Sequence, residues 1–327
     1  MRHLLAAIVM MGAVLCAPAS AQDAATIRIG VLQYGTVNWE LDVIERHGLD
    51  EANGFDLQTL DLASNQATTV ALQAGEVDMI VSDWLWVSRQ RGRGEPYTFA
   101  PFSSSVGAIM VPPDSDISDL GDLAGKTIAV AGGPLDKGWL LLRALAERDH
   151  GVDLTRDAEP VFGAPPLLTE MARNGEVDAV LNYWHYGARL EAEGFRRLIG
   201  ANDAAMALGA KGPISAIGWT FSEEWANDNS ALVKRFFEAS NAAKRILATS
   251  DEEWETLRPL TGAADHATLH ALRDRFREGI PARPLSEERE DTETIYALLA
   301  RIGGEELVGP ATTMADGTFW SALTDGS

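Results

Sequence analysis

The chain has 327 residues and carries 27 Lys and Arg against 48 Asp and Glu, a formal net charge of −21. A surface this acidic repels nucleic acid and anionic lipid, so neither is an expected partner, but it does not exclude a small anion, because a cleft answers to local charges and dipoles. The one cysteine, Cys16, lies in the N-terminal segment, so no disulfide, thiolate metal site or Cys nucleophile is expected in the rest of the chain.

Met1-Arg2-His3, the apolar run Leu4 to Leu15 and the exit Ala17-Pro18-Ala19-Ser20-Ala21 have the charge, core and small residues of a secretory signal, expected over residues 1–21. The run falls short of the ~20 residues a spanning helix needs. Leu15 is also larger than the residue that lipoprotein processing at Cys16 requires. The expectation is an exported, soluble, monomeric protein of about the size that two lobes need.

Ile27 to Leu32 reads as a buried strand, followed by Gly35-Thr36 and a helix with apolar Trp39, Leu41, Val43 and Ile44. After Gly54, Phe55 to Leu62 alternates as a second strand, Asn65 to Gly75 reads as a helix and Val77 to Ser82 as a third strand. Such alternation implies a mainly parallel sheet covered on both faces. The order then returns: strand Thr127 to Ala131, loop 132–138, helix through Ala146, strand around Glu159 to Phe162, helix Leu167 to Arg173, strand Val177 to Asn182.

The return is literal in places. Gly75-Glu76-Val77-Asp78 recurs as Gly175-Glu176-Val177-Asp178, and the same offset matches Trp84 with Trp184, Arg89 with Arg189 and Trp39 with Trp139, and sets Ile27–Leu32 against Thr127–Gly132. A unit of this length exceeds the ~20–50 residues of a solenoid repeat; it is a whole lobe. Val106 to Val111 and Ile214 to Phe221 read as two crossings between lobes, a hinge centred on Gly107 and Gly218. From Ser222 to Trp320 the spacings are helical, read as a jacket on the first lobe. The expected division is 22–110 with 217–327 in lobe 1, including the C-terminal helices, and 111–216 in lobe 2.

Three stretches carry a family likeness: Val111-Pro112-Pro113-Asp114-Ser115-Asp116-Ile117, Leu120-Gly121-Asp122-Leu123-Ala124-Gly125-Lys126-Thr127-Ile128-Ala129-Val130, and the Gly175 to Asp178 motif. Together they resemble the periplasmic solute-binding proteins of ABC importers, in the nitrate, sulfonate, taurine and thiamine-precursor (SsuA/THI5-like) branch. The likeness covers most of the chain and is most specific in the middle lobe. It implies an α/β, type II periplasmic-binding fold with two similar lobes, parallel-rich sheets and two hinge crossings. It also implies closure around one small solute, delivery to an inner-membrane ABC permease, and a periplasmic location. The chain departs from the branch at Asp83-Trp84-Leu85-Trp86 and Tyr183-Trp184-His185-Tyr186, where smaller residues are common. An anion such as a sulfonate, taurine or nitrate is the family expectation, whereas these aromatic residues point to a planar or amine-bearing compound.

In open parallel sheets ligands sit beyond the carboxyl ends of the strands. That rule nominates Gln33, Tyr34, Thr36, Asn38, Asn65, Asp83 and Trp84 in the first lobe, and Gly133, Pro134, Lys137, Tyr183, Trp184 and His185 in the second. Gly132-Gly133 ahead of a helix is a turn through which free amides and Lys137 favour an anion, though such a turn is as readily a plain connection. A single tryptophan after a strand reads as core; two at matching positions in opposed lobes can sandwich a flat or cationic ligand. Trp39 and Trp139 fall inside helices and read as packing, and Gly75 and Asp78 as turn and strand entry.

An enzyme is the less favoured reading, one that would use His185 and Asp83 around a planar substrate. No Gly-x-Ser-x-Gly elbow is present. His266 and His270 are four apart on a helix, but the residues between them supply no carboxylate, so they read as a solvated face rather than a metal site. Neither a metal nor a cofactor is expected.

Overall fold

The computed structural model describes residues 25–322; the expected signal segment, with Cys16, lies outside the described residues. In chain order the first lobe's elements begin with β1 (Ala25–Leu32), α1 (Val37–Arg46), the single turn α2 (Leu49–Ala52), β2 (Phe55–Leu62), α3 (Asn65–Gln73), β3 (Met79–Ser82), α4 (Trp84–Arg91) and β4 (Tyr97–Ser103). There follow β5 (Ala108–Val111), β6 (Thr127–Ala131), α5 (Lys137–His150), β7 (Glu159–Gly163), α6 (Pro165–Arg173), β8 (Ala179–Asn182), α7 (Trp184–Ala192), β9 (Arg196–Gly200) and α8 (Ala201–Ala207). β10 (Ile217–Ser222) returns, and then come α9 (Glu223–Asp228), α10 (Ser230–Thr249), α11 (Asp251–Thr261), α12 (His266–Glu278) and α13 (Leu285–Val308). No described helix is long and apolar enough to cross a membrane.

The strands form two five-stranded sheets, ordered β2-β1-β3-β10-β4 and β7-β6-β8-β5-β9. In each, three strands are parallel and the crossing strand enters antiparallel beside the third: β10 on β3, β5 on β8. Thus the crossing strands are exchanged, because the chain leaves the first half through β5 and inserts it into the second sheet. Residues 108–110, expected in lobe 1, therefore pair in the second sheet. Of the four edge strands, β4 and β9 are not read from the sequence. β4 contains Pro101, a residue that argues against a central strand but is tolerated at an edge.

The repeated Gly-Glu-Val-Asp has a structural cause. Gly75 and Gly175 adopt φ of 72° and 69°, the left-handed region that favours glycine, to end α3 and α6 and start the next strand. Asp78 then accepts the Arg28 amide at 2.8 Å, and Asp178 accepts the Thr127 amide at 2.8 Å, so each carboxylate ties the third strand to the first. The register pairs Ile29 with Met79 and Ile128 with Ala179. Arg28 thus corresponds to Thr127, one residue off the offset assumed for the first strands, and the second strand-to-helix connection absorbs the difference.

The crossings pass close to neighbouring backbone. A Cβ on Gly107 would collide with the Asn182 carbonyl, and one on Gly218 with the Ala100 carbonyl and the Phe99 ring. Asn202 joins the two crossings: its amide donates to the Ser104 carbonyl at 2.8 Å and the Ile214 carbonyl at 3.4 Å, while its oxygen accepts the Ile214 amide at 3.2 Å.

The C-terminal helices are not a jacket on the first lobe alone. Ile295, Tyr296 and Leu299 of α13 share one core with Trp84 and Leu85 of α4 and with Trp139 and Leu141 of α5, so α13 spans both lobes. α12 receives α7 of the second lobe: Arg275 donates to both oxygens of Glu191, at 2.7 and 2.5 Å. Both helix starts carry a tryptophan that packs on these C-terminal helices, Trp84 of α4 on Tyr296 of α13 and Trp184 of α7 on Phe276 of α12.

Candidate functional site

Between the two sheets lies a cavity of about 380 Å³, within the range of small-molecule sites. It is walled by the strand-to-helix turns of both lobes, by the crossings at Ser105-Val106-Gly107 and Ile214, and by Ile295 and Leu299 of α13. Of the residues expected at the ligand, Thr36, Asn65, Asp83, Trp84, Lys137, Tyr183, Trp184 and His185 line this cavity.

Gln33, Tyr34, Asn38, Gly133 and Pro134 do not. The Gly35 amide closes a turn on the Leu32 carbonyl at 2.9 Å, which throws Gln33 and Tyr34 outward, and Tyr34 is 89% exposed. Asn38 is engaged with the backbone, donating to the Leu32 carbonyl at 3.0 Å. In the second lobe the turn at Gly132 and Gly133 (φ 86° and 84°) is filled by the chain's own carboxylate. Asp136 caps α5 by accepting the Trp139 amide at 3.0 Å, and a Cβ on Gly132 would strike it. The anion position that the sequence suggests is therefore taken by Asp136, a lining residue that belongs to the nominated loop but is not singled out by the sequence. Asp at a helix N-cap is the signal that could have found it.

Asp83 does the same for α4, accepting the Trp86 amide at 2.8 Å. Its other oxygen accepts from the Lys137 ammonium at 3.1 Å, an ion pair that joins the first lobe's α4 turn to the second lobe's α5 across the cleft. Burial pushes the Asp83 carboxyl upward, but Lys137 and the Trp86 amide outweigh it and hold the group below the usual carboxylate range. Burial likewise works against the Lys137 charge, and Asp83 and Asp136 reverse that, keeping Lys137 above its ordinary value. For Asp136 burial dominates and raises its pKa. His185 is pushed down to about 4 by burial and by the Arg189 charge, so its ring is neutral near neutral pH.

The two tryptophans serve as wall and as packing at once. Trp84 is only 3% exposed and lies 6.3 Å from the Tyr296 ring, its indole N–H without an acceptor among the described residues. Trp184 is half-buried, 5.8 Å from Trp39 and 6.4 Å from Phe276. Their matched arginines also tie α4 and α7 to the C-terminal helices: Arg89 donates to the Leu307 carbonyl near the end of α13 at 2.9 Å, and Arg189 to the Thr261 carbonyl at the end of α11 at 2.7 Å. A cation at a helix C-terminus is favourable in both. α7 differs from α4 and α5 in having no side-chain cap, because Tyr183 stands where Asp83 stands in the first half. The Tyr183 amide is instead held by the Asn182 oxygen at 2.9 Å.

Two similar sheets, two crossings and a cavity at the carboxyl ends of both sets of parallel strands define a two-lobed α/β fold of the SsuA periplasmic-binding kind. The chain belongs to the NMT1/THI5 like family, whose model matches residues 43–253. Among solved structures, the aliphatic sulphonate binding protein SsuA from Escherichia coli superposes with a TM-score of 0.71 at 18% identity, covering 91% of this chain and 93% of that one. The alkanesulfonate-binding protein SsuA from Xanthomonas axonopodis pv. citri, bound to MOPS, gives 0.66 at 20% identity, covering 92% and 99%. The desulfurization enzyme DSZB is also similar, with a TM-score of 0.56 at 16% identity over 88% of this chain and 97% of that one. No curated protein sequence matches the chain.

Proposed function

We propose that this protein is the periplasmic receptor of an ABC importer, capturing one small polar solute by closure of its lobes and passing it to a permease, as a monomer and without catalysis. The observation that carries the reading is the cavity itself, bounded by both lobes and by both crossings, so that moving one lobe opens it. The names of the SsuA relatives support the class of function. An enzyme finds less support: Asp83 is engaged by Lys137 and the Trp86 amide, and the ring contacts of His185 are with Trp184 and Tyr186.

The lining chemistry favours an amine-bearing or planar solute. Two carboxylates, Asp83 and Asp136, stand against one ammonium, Lys137, which is already paired, and those carboxylates occupy the starts of α4 and α5, where an anion would bind. N–H groups on a ligand find acceptors there, and the aromatic walls suit a flat or cationic body. A sulfonate remains the second reading, supported by the relatives and by the uncapped start of α7.

A thermal-shift panel of taurine, MOPS, nitrate and small planar amines tests both readings. The amine class is expected to raise Tm and to be recovered unchanged after incubation. Stabilisation by sulfonates alone would reverse the ligand assignment, and chemical conversion of a bound compound would reverse the receptor assignment.

A further inference from the structure

We propose that Glu255, His266 and His270 form a surface site for a borderline transition-metal dication such as Zn²⁺, separate from the solute cavity. The sequence offers two histidines one helical turn apart and no carboxylate between them; the fold supplies the missing carboxylate from the preceding helix. Four turn residues, 262–265, reverse the chain between α11 and α12, and Asp265 fixes the start of α12 by accepting the Thr268 amide at 2.8 Å. His266 and His270 then share a face of α12, ring centroids 6.3 Å apart, and Glu255 of α11 reaches His266 Nδ1 at 3.1 Å.

One ligand atom from each of the three residues lies within 4.8 Å of the others. Ligand atoms bound to zinc at ~2.1 Å stand ~3.4 Å apart in a tetrahedron, so small side-chain rotations complete three corners. All three residues are exposed, which leaves the fourth corner to water. Two imidazoles and one carboxylate suit zinc, copper or nickel and not the oxygen-seeking magnesium or calcium. The metal would sit between His266 and Glu255, which already approach to 3.1 Å, and clasp α11 to α12. α12 is the helix that receives α7 from the second lobe through Arg275 and Glu191.

The test is calorimetric titration of Zn²⁺ into the full chain, free of any polyhistidine tag, beside the variants Glu255→Gln, His266→Ala, His270→Ala and the control His47→Ala. His47 is also beside a glutamate, Glu253, at 3.0 Å. The expected result is one equivalent bound with Kd on the order of micromolar, since three exposed ligands hold metal less tightly than a closed structural site. Binding should weaken at least tenfold in each histidine variant, and be unchanged in His47→Ala. Metal-free melting of the three site variants should match the parent, because their side chains are exposed, and Zn²⁺ should raise Tm in the parent more than in His270→Ala. Absence of saturable binding, equal binding by His270→Ala, or loss of binding in His47→Ala would each overturn the site.

Discussion

Asp83-Trp84 in the first half and Tyr183-Trp184 in the second occupy the same place after the third strand, yet the two turns are built to different ends. In the first, the carboxylate caps α4 and reaches across the cleft to Lys137, and Trp84 is sealed beneath α13. In the second, α7 begins without a side-chain cap and Trp184 stays half-open to the cavity while resting on Trp39 and Phe276. Residues that build the scaffold kept their roles in both copies: Gly75 and Gly175 turn the chain, Asp78 and Asp178 tie strands, Arg89 and Arg189 end a C-terminal helix. The residues flanking the matched tryptophans differ, Asp83 and Leu85 against Tyr183 and His185. A duplicated framework thus presents two unlike faces to one cavity.

The largest contrast expected is between the tryptophans. Trp84→Ala empties a closed core position and should cost ~3–5 kcal/mol in chemical denaturation. Trp184→Ala removes partly exposed aromatic contacts, and about 2 kcal/mol is expected, together with about a tenfold loss of solute affinity. A larger stability loss for Trp184→Ala than for Trp84→Ala would break the distinction between seal and wall.

Next in size are the strand ties. Asp78 holds both the Arg28 amide and its guanidinium, the latter at 2.6 Å, whereas Asp178 accepts the Thr127 amide at an exposed site. Asp78→Ala should cost ~1.5–2 kcal/mol and Asp178→Ala ~0.5–1 kcal/mol, the charged bond being the stronger. Equal losses would mean that the Arg28 side chain adds nothing.

A smaller effect separates Leu85 from its counterpart His185. The His185 pKa is held near 4 in the folded chain, below the ordinary histidine value of ~6.5. Between those values the unfolded chain binds a proton that the folded chain refuses, so this residue's contribution is intact above ~6.5 and is lost as pH falls toward 4. His185→Leu should flatten that part of the stability-versus-pH curve; Leu85, which does not titrate, adds no such slope. An unchanged slope in His185→Leu would show that the ring is not held neutral.

How much of this was legible in sequence follows from periodicity. β2 and β6 were readable to the residue because their apolar patterns are bounded by Gly54 and Gly132, and the literal repeat revealed the doubling. β4 and β9 were not, since Pro101 and the pair Arg196-Arg197 resemble loop and surface until an edge position explains them. At the site, strand-end placement drew eight of the nominated residues to the cavity, but side-chain direction within a turn decides the rest. Tyr34 points to solvent while Asp136, two residues beyond a proline, fills the helix start. Contributions from the crossings, from α8 and from α13, such as Ser105, Asn202 and Ile295, depend on tertiary placement and have no local signature. The same holds for Glu255, which meets His266 only because α11 and α12 pack together.

Capture of one small solute between the lobes can be read by native mass spectrometry of the chain isolated from its own host without dialysis, beside the variant Asn65→Trp. Asn65 is exposed at the cavity rim, so a bulky ring there should obstruct the cavity while leaving the fold intact. One small molecule per chain is expected, released intact on denaturation and missing from Asn65→Trp. A parent chain that carries no such molecule, or a variant that retains it in full, would contradict capture in this cavity.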